Sequence, residues 1–311
     1  SVMPNFNGVW SLTTQLQYVA DWPVPPAFAL VAGDNGVSDT IDRLNMSTSG
    51  NSVDFGNLIA ASRAMAAIGS KTRGVFAGGY TSGRDDTIQY RTFSSLGNMS
   101  DFGNLLAGNS GLAGLGNSTR GVIGGGYTGS ASNVMQYITI ANTGNSTDFG
   151  DLTVARYDLG ATANATRGLF TGGYTSSGSN VIDYITIGST GDATDFGNLS
   201  SAKTANASCA SDTRALIGGG DNDSIVNVID YVTIGTTGNV SDFGDLLTVL
   251  KSHASFSNTT RGFFAGGDAN GQVNVIQSVA IASTGNTTDF ADLIQAREQC
   301  SGCSDSHGGL A

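Results

Sequence analysis

The chain has 311 residues, a formal net charge of −11, only 13% charged residues, and 45 glycines against 4 prolines. Such an acidic balance argues against nucleic-acid phosphates and anionic membranes as partners, because neither is attracted to it. Many glycines with few charges suit short strands and tight turns better than helices, so an all-β fold is expected.

Residues 1–23 stand apart from everything that follows. They show neither an apolar run near the roughly 20 residues that span a bilayer nor the basic-then-apolar order of a signal peptide. A soluble chain is expected, and because it opens on Ser1, an initiator, a leader or a longer upstream region is expected to have been removed. Ser11 is placed to cap a short helix through Ala20 that turns Leu12, Leu16 and Val19 toward a partner chain. The same segment packing on the rest of the chain stays open. Residues 1–23 are read as a connector and residues 24–311 as the main domain.

The main domain is a repeat. An Asp-Phe anchor recurs at Asp54, Asp101, Asp148, Asp195, Asp242 and Asp289, each 47 residues from the last. Gly50, Gly97, Gly144, Gly191, Gly238 and Gly285 keep the same step, as do Arg73, Arg120, Arg167, Arg214 and Arg261. Within one unit the expected strands are Met65–Lys71, Gly74–Gly79, Thr87–Phe93 and Met99–Leu106, with Gly97-Asn98 supplying the tight turn of the last hairpin. Third strands such as Val134–Ile140 are apolar on both faces, as expected for a sheet sandwiched between two others. First strands carry small pairs such as Ala66-Ala67 and Gly160-Ala161, which fit where six sheets crowd one axis.

These features predict an all-β, six-bladed β-propeller of four-stranded antiparallel blades. Nothing before Ala27 reads as a first strand, whereas Arg297–Asp305 matches Arg156–Asn164 at three times 47 residues. The C-terminal segment is therefore expected to complete the blade begun at Ala27 and close the ring, removing its open edges.

Two resemblances follow. The apolar strand ending in a glycine doublet, as at Gly78-Gly79, Gly125-Gly126 and Gly172-Gly173 and often followed by Tyr, resembles kelch repeats over residues 27–311. The fourth-strand Trp of many kelch units is Phe here (Phe55, Phe102, Phe149, Phe196, Phe243, Phe290), which leaves the subfamily open. The Thr-Gly-Asn-x-Thr-Asp-Phe-Gly-Asp-Leu wording, with the leader Gly8-Val9-Trp10-Ser11-Leu12 to Trp22-Pro23, resembles phage virion structural and tail-fibre-like proteins. That resemblance implies a displayed propeller in a virion, joined to other virion proteins through residues 1–23, with homo-oligomers possible. It also implies contact with a host-surface glycan or protein.

Candidate functional residues fall into a few groups. Arg73 with Asp101, Arg120 with Asp148, Arg167 with Asp195, Arg214 with Asp242 and Arg261 with Asp289 are expected to share one rim as structural ion pairs. Ligand capture by such arginines, as in six-bladed lectins, is the alternative, although the tryptophans, Trp10 and Trp22, precede the ring. On the other face, the loops between second and third strands break the sixfold pattern. Tyr80, Tyr127 and Tyr174 mark three consecutive blades, Asp221, Asp268 and approximately Asp34 the other three, with Arg84, Asp85, Asp86 and Asp223 adding charge. Tyrosine offers an apolar face and a hydroxyl to a sugar, so this rim is the expected binding surface; its rings packing on the neighbouring blade is the competing explanation.

No catalytic constellation, metal or cofactor is read from the sequence, and a non-enzymatic role is expected. Asp221-Asn222-Asp223 lacks the spaced ligands of a calcium loop, and Cys300-x-x-Cys303 on a strand sends its thiols to opposite faces. Asn-x-Ser/Thr sequences, including Asn117, Asn145 and Asn164, recur in turns where Asn already has backbone work to do, so glycosylation is a minor reading. The expected function is a virion appendage or tail-fibre-like structural protein, with a capsid-decorating architectural protein and a propeller lectin as alternatives.

Overall fold

A computed structural model of the chain describes residues 26–36 and 38–310. The proposed connector of residues 1–23, including Ser11 and its helix, lies outside the described residues. The remainder forms six four-stranded antiparallel sheets. Blade one consists of β1 (Phe28–Ala32), β2 (Thr40–Asn45) and β3 (Val53–Asn57), with the chain's final strand inside β1. Blade two contains β4 (Ala66–Gly69), β5 (Arg73–Ala77), β6 (Thr87–Thr92) and β7 (Ser100–Asn104). Blade three contains β8 (Ala113–Gly116), β9 (Arg120–Gly124), β10 (Val134–Thr139) and β11 (Thr147–Asp151). Blade four contains β12 (Gly160–Ala163), β13 (Arg167–Thr171), β14 (Ser179–Thr186) and β15 (Thr194–Lys203). Blade five contains β16 (Ala207–Ala210), β17 (Arg214–Gly218), β18 (Val228–Thr233) and β19 (Ser241–Asp245). Blade six contains β20 (Ala254–Ser257), β21 (Arg261–Ala265), β22 (Val273–Ala280) and β23 (Thr288–Arg297), and β24 (Ser301–Ser304) follows.

Closure occurs where the repeat arithmetic put it. β24 pairs with β1 in the register Ala29↔Ser304 to Ala32↔Ser301, so the last strand of the chain is the innermost strand of the first blade. The core is not one mass but six, each between two neighbouring blades. Ile68, Val75 and Ile88 of blade two meet Ile123 and Ile138 of blade three, and Ala29 and Leu44 of blade one meet Phe256, Phe263 and Leu293 of blade six. This is why the third strands are apolar on both faces: each sheet has a neighbour on either side.

The glycine doublets end the second strands. At Gly79, with φ +105°, a Cβ would lie 2.6 Å from Met65 Cγ, so a side chain is excluded twice over, by conformation and by space.

The expected rim ion pairs do not form. Among the described residues no ion pair joins Arg73 to Asp101, Arg120 to Asp148, Arg167 to Asp195, Arg214 to Asp242 or Arg261 to Asp289. A third strand stands between the two, and its tyrosine takes the arginine instead. Arg73 lies over Tyr90 at 4.6 Å, Arg120 over Tyr137 at 4.4 Å, Arg167 over Tyr184 at 4.4 Å and Arg214 over Tyr231 at 4.6 Å. Each guanidinium then donates to a carbonyl of the next blade, Ile140, Ile187, Ile234 or Ile281, at 2.8–2.9 Å. The arginines therefore clip blades together while the aspartates stay exposed to water. Blade one keeps the clip with its partners reversed: Arg43 sits at the tyrosine position, over Phe28 at 4.7 Å, and donates to Phe93 O. Blade six has Ser278 at that position, and Arg261 rests over Phe290 at 5.9 Å.

Three of the ion pairs that do form are buried and join successive units. Arg156–Asp183 (2.8 Å), Lys203–Asp230 (3.1 Å) and Arg297–Asp42 (2.6 Å) are shielded from solvent on both sides. Each spans the same 27-residue step once the ring is closed. The other three units hold Gln89, Gln136 and Gln277 at the acid position and Ser62, Asn109 and Leu250 at the basic one. Acid and base change together.

Candidate functional site

The two loops that reach the open face in each blade are held side by side. Arg63 bridges Tyr80, Ser110 bridges Tyr127, Tyr157 bridges Tyr174, Thr204 bridges Asp221, and Lys251 bridges Asp268. In blade one the matching backbone bond runs from Asn35 N to Glu298 O, so Asn35, not Asp34, occupies the variable position. Asp34 is buried one residue earlier and accepts Gln272 Nε2 at 3.1 Å.

The next residue in each inter-blade loop turns into the left-handed region. Ala64, Gly111, Asp158, Ala205, Ser252 and Gln299 have φ between +50° and +64°. Each of these amides donates to the carbonyl of its counterpart in the neighbouring blade at 2.7–2.9 Å, from Gly111 N to Ala64 O round to Ala64 N to Gln299 O. Six amides thus form a closed hydrogen-bonded ring about the axis, which offsets the conformational cost at five non-glycine positions. Each ring amide and each ring carbonyl thus has a partner within the ring.

Inside the ring is a well of about 140 Å³ whose walls include Ala67, Gly114, Ala161, Ser208, Ser255 and Gly302. Its far end is closed by the chain's own terminus. His307 Nε2 meets Gly69 O at 2.9 Å, His307 Nδ1 accepts Gly309 N at 3.1 Å, and a buried 3₁₀ turn (Gly308–Leu310) lies beneath the ring. His253, beside the well, has no partner on either ring nitrogen, and burial lowers its pKa to about 3. Burial also raises Cys209 and Cys303 to about 12 and Cys300 to about 11, which leaves these free thiols in their unreactive protonated form. Among the described residues no group of three His, Cys, Asp or Glu side chains is arranged to hold a metal, and no helix is long and apolar enough to cross a membrane.

A second cavity, of about 280 Å³, opens beside the mouth over blade three. It exists because Ser110 and Gly111 are small where neighbouring blades place Arg63, Tyr157 and Asp158. Tyr80 forms one wall, Tyr127 and Tyr157 the other, and Arg63, Asp158 and Gln299 complete the lining. Tyr157 meets Tyr127 edge-on at 5.2 Å and Tyr174 at 5.3 Å, and Arg84 lies over Tyr127 at 4.8 Å. Tyr157, which the loop comparison missed, therefore joins Tyr127 to Tyr174, while Tyr80 stands apart from them across the cavity.

The charged residues expected on this rim scatter instead. Asp85 Oδ1 accepts from Thr87 N and Thr87 Oγ1, holding its own loop, and the Asp86 carbonyl accepts Leu105 N. Asp221 and Asp268 lie on the opposite arc and share Lys251 at 2.8 and 3.9 Å, while Asp223 is exposed at a loop tip with φ +78°. The hydrogen bond from Lys251 to Asp221 holds that ammonium above its ordinary pKa.

Asp158 differs from these: burial pushes its carboxyl up to about 6. A raised carboxylate pKa leaves the fold unpenalised below about pH 4 and progressively less stable as pH rises from there through about 6. Asp158→Asn, which keeps a residue at ease in the left-handed region, is expected to stabilise the protein by about 1–2 kcal/mol at pH 7.5, allowing for partial solvation, and by nothing at pH 4. Thermal melts of both proteins at the two pH values measure this.

No known protein-family model matches the sequence, and no curated protein matches it significantly. The propeller rests on its strand pairing alone.

Proposed function

We propose that this chain is a non-catalytic binding propeller that presents a carbohydrate pocket on its open face, as the distal module of a phage virion appendage. The observation that carries the binding part is the cavity between Tyr80 and the Tyr127–Tyr157 pair. Aromatic faces with unpaired hydroxyl, amide and guanidinium groups around a concave site suit a sugar, whose C–H faces stack and whose hydroxyls hydrogen-bond. The virion part rests on the wording of the repeat and leader, which resemble phage structural and tail-fibre-like proteins, and residues 1–23 would join the module to other virion proteins.

The test is binding of the labelled protein to a panel of bacterial surface polysaccharides and to the cells that bear them. The Tyr127→Ala/Tyr157→Ala protein is expected to lose binding at least tenfold while folding normally. Undiminished binding by that variant would remove the pocket from the account.

A purely architectural role, such as capsid decoration, is favoured by a different observation. Leu247, Ile294, Ile59 and Leu106, each about half exposed, recur at one outer position on four consecutive blades. An apolar arc of that kind suits contact with another virion protein. Localising the chain on the capsid, with no polysaccharide bound, would establish that reading instead.

A further inference from the structure

We infer that the pocket between Tyr80 and Tyr127 takes a sugar residue bearing a carboxylate, with Arg63 as its anion-binding group; this rests on the carbohydrate reading above. Of the chain's 14 Lys and Arg residues, eight are engaged by carboxylates or by carbonyls of the next blade. Arg156, Lys203 and Arg297 are neutralised by buried aspartates. Lys251 sits between Asp221 and Asp268. Arg73, Arg120, Arg167 and Arg214 donate to carbonyls of the next blade. Two guanidiniums remain on the open face without an ion-pair partner among the described residues: Arg63, which lines the pocket, and Arg84, which lies over its wall residue Tyr127.

In a chain of net charge −11, cations on an exposed face ordinarily acquire acidic neighbours. Here neither forms an ion pair, although Asp85 and Asp86 follow Arg84; Arg63 lies over Tyr80 at 5.1 Å and Arg84 over Tyr127 at 4.8 Å. A guanidinium held over a ring keeps N–H groups free to donate, and a free guanidinium can recognise a carboxylate through two parallel hydrogen bonds. Ser110, Gln299 and the tyrosine hydroxyls remain for the sugar's own hydroxyls. A volume of about 280 Å³ lies just below the ~300 Å³ at which small-molecule sites begin, which fits a single sugar residue rather than a longer stretch.

Asp158, on the same lining, is the one feature that opposes an anion, so it supplies a control of opposite sign. Arg63→Gln removes the proposed attraction, and Asp158→Asn removes the repulsion.

The experiment is calorimetric or NMR titration of the protein with methyl β-D-glucuronide and methyl β-D-glucoside, which differ only at the carboxylate carbon, at pH 7.5 and low salt. The glucuronide is expected to bind at least tenfold more tightly. Arg63→Gln should reduce it to the level of the glucoside without lowering the melting temperature, and Asp158→Asn should tighten the glucuronide severalfold while leaving the glucoside unchanged. Equal binding of the two glycosides, or a glucuronide affinity indifferent to Arg63→Gln, overturns the acidic-sugar assignment and leaves the carbohydrate reading standing. Failure of both glycosides to bind the folded protein also overturns the assignment, and the polysaccharide panel then decides the carbohydrate reading by itself.

Discussion

Arg156→Leu is expected to cost the fold about 3–5 kcal/mol, and adding Asp183→Gln to return most or all of it. The guanidinium meets Asp183 Oδ2 at 2.8 Å and donates to the carbonyls of Val181 and Phe170, and both charged side chains are shielded from water. Removing it alone leaves a buried carboxylate without its counter-charge. Burial holds Asp183 above the usual carboxylate range in spite of Arg156, and holds Arg156 below its own ordinary value. Desolvation therefore exceeds attraction at this pair, which predicts that an uncharged replacement is no worse. The chain already contains one: Leu250 and Gln277 occupy the same two positions a third of the ring away, and Gln277 Oε1 accepts the amide of Leu247 at 2.8 Å. In the double variant the glutamine introduced by Asp183→Gln is placed to accept the amide of Thr153 in the same way. Denaturant unfolding of the single and double variants measures the cycle; a double variant as unstable as Arg156→Leu would show that the two positions are not coupled.

The second large effect concerns closure. Deleting residues 300–311 removes β24 and the turn beneath the ring, uncovering one edge of β1 and the blade-one side of the core around Leu30 and Met65. The loss is expected to exceed about 5 kcal/mol, comparable to the whole stability of an ordinary domain. The truncated chain should lose its cooperative melt and regain it when a peptide covering residues 297–310 is supplied. A truncated chain that melts like the intact one would contradict closure by this strand.

Much of this was legible in the sequence, and the reasons are physical. Blade number, strand order and the closing strand follow from a period kept without insertion between the Asp-Phe anchors, because every blade must bury the same two faces. What the repeat hides is the partner of each side chain. Arg73 and Asp101 share a rim, but pairing them ignored the intervening β6, whose Tyr90 offers a closer face to the guanidinium. The buried ion pairs left a signal that went unread: Asp42, Asp183 and Asp230 replace glutamine only where Arg297, Arg156 and Lys203 stand one 27-residue step away.

The pocket was half legible. Tyr80, Tyr127 and Tyr174 stood out because aspartate and asparagine interrupt them, whereas Tyr157 sits in a position that reads Arg63, Ser110, Tyr157, Thr204, Lys251 and Glu298, too varied to suggest a shared site. The amide ring left almost no trace, since of its six left-handed residues only Gly111 and Asp158 belong to types that favour that conformation. Blade one misled for a simpler reason: its second strand lies two residues out of step with the others, which moved the variable position from Asp34 to Asn35.

The central claim is that recognition resides in one cavity beside the axis rather than in six equivalent rims. Amide chemical-shift mapping of the intact protein, titrated with the polysaccharide fragment it binds most tightly, tests that directly. Shifts confined to residues around Tyr80, Ser110, Tyr127 and Tyr157 are predicted. Shifts repeated on all six blades, or concentrated on the face beneath Gly308–Leu310, would contradict it.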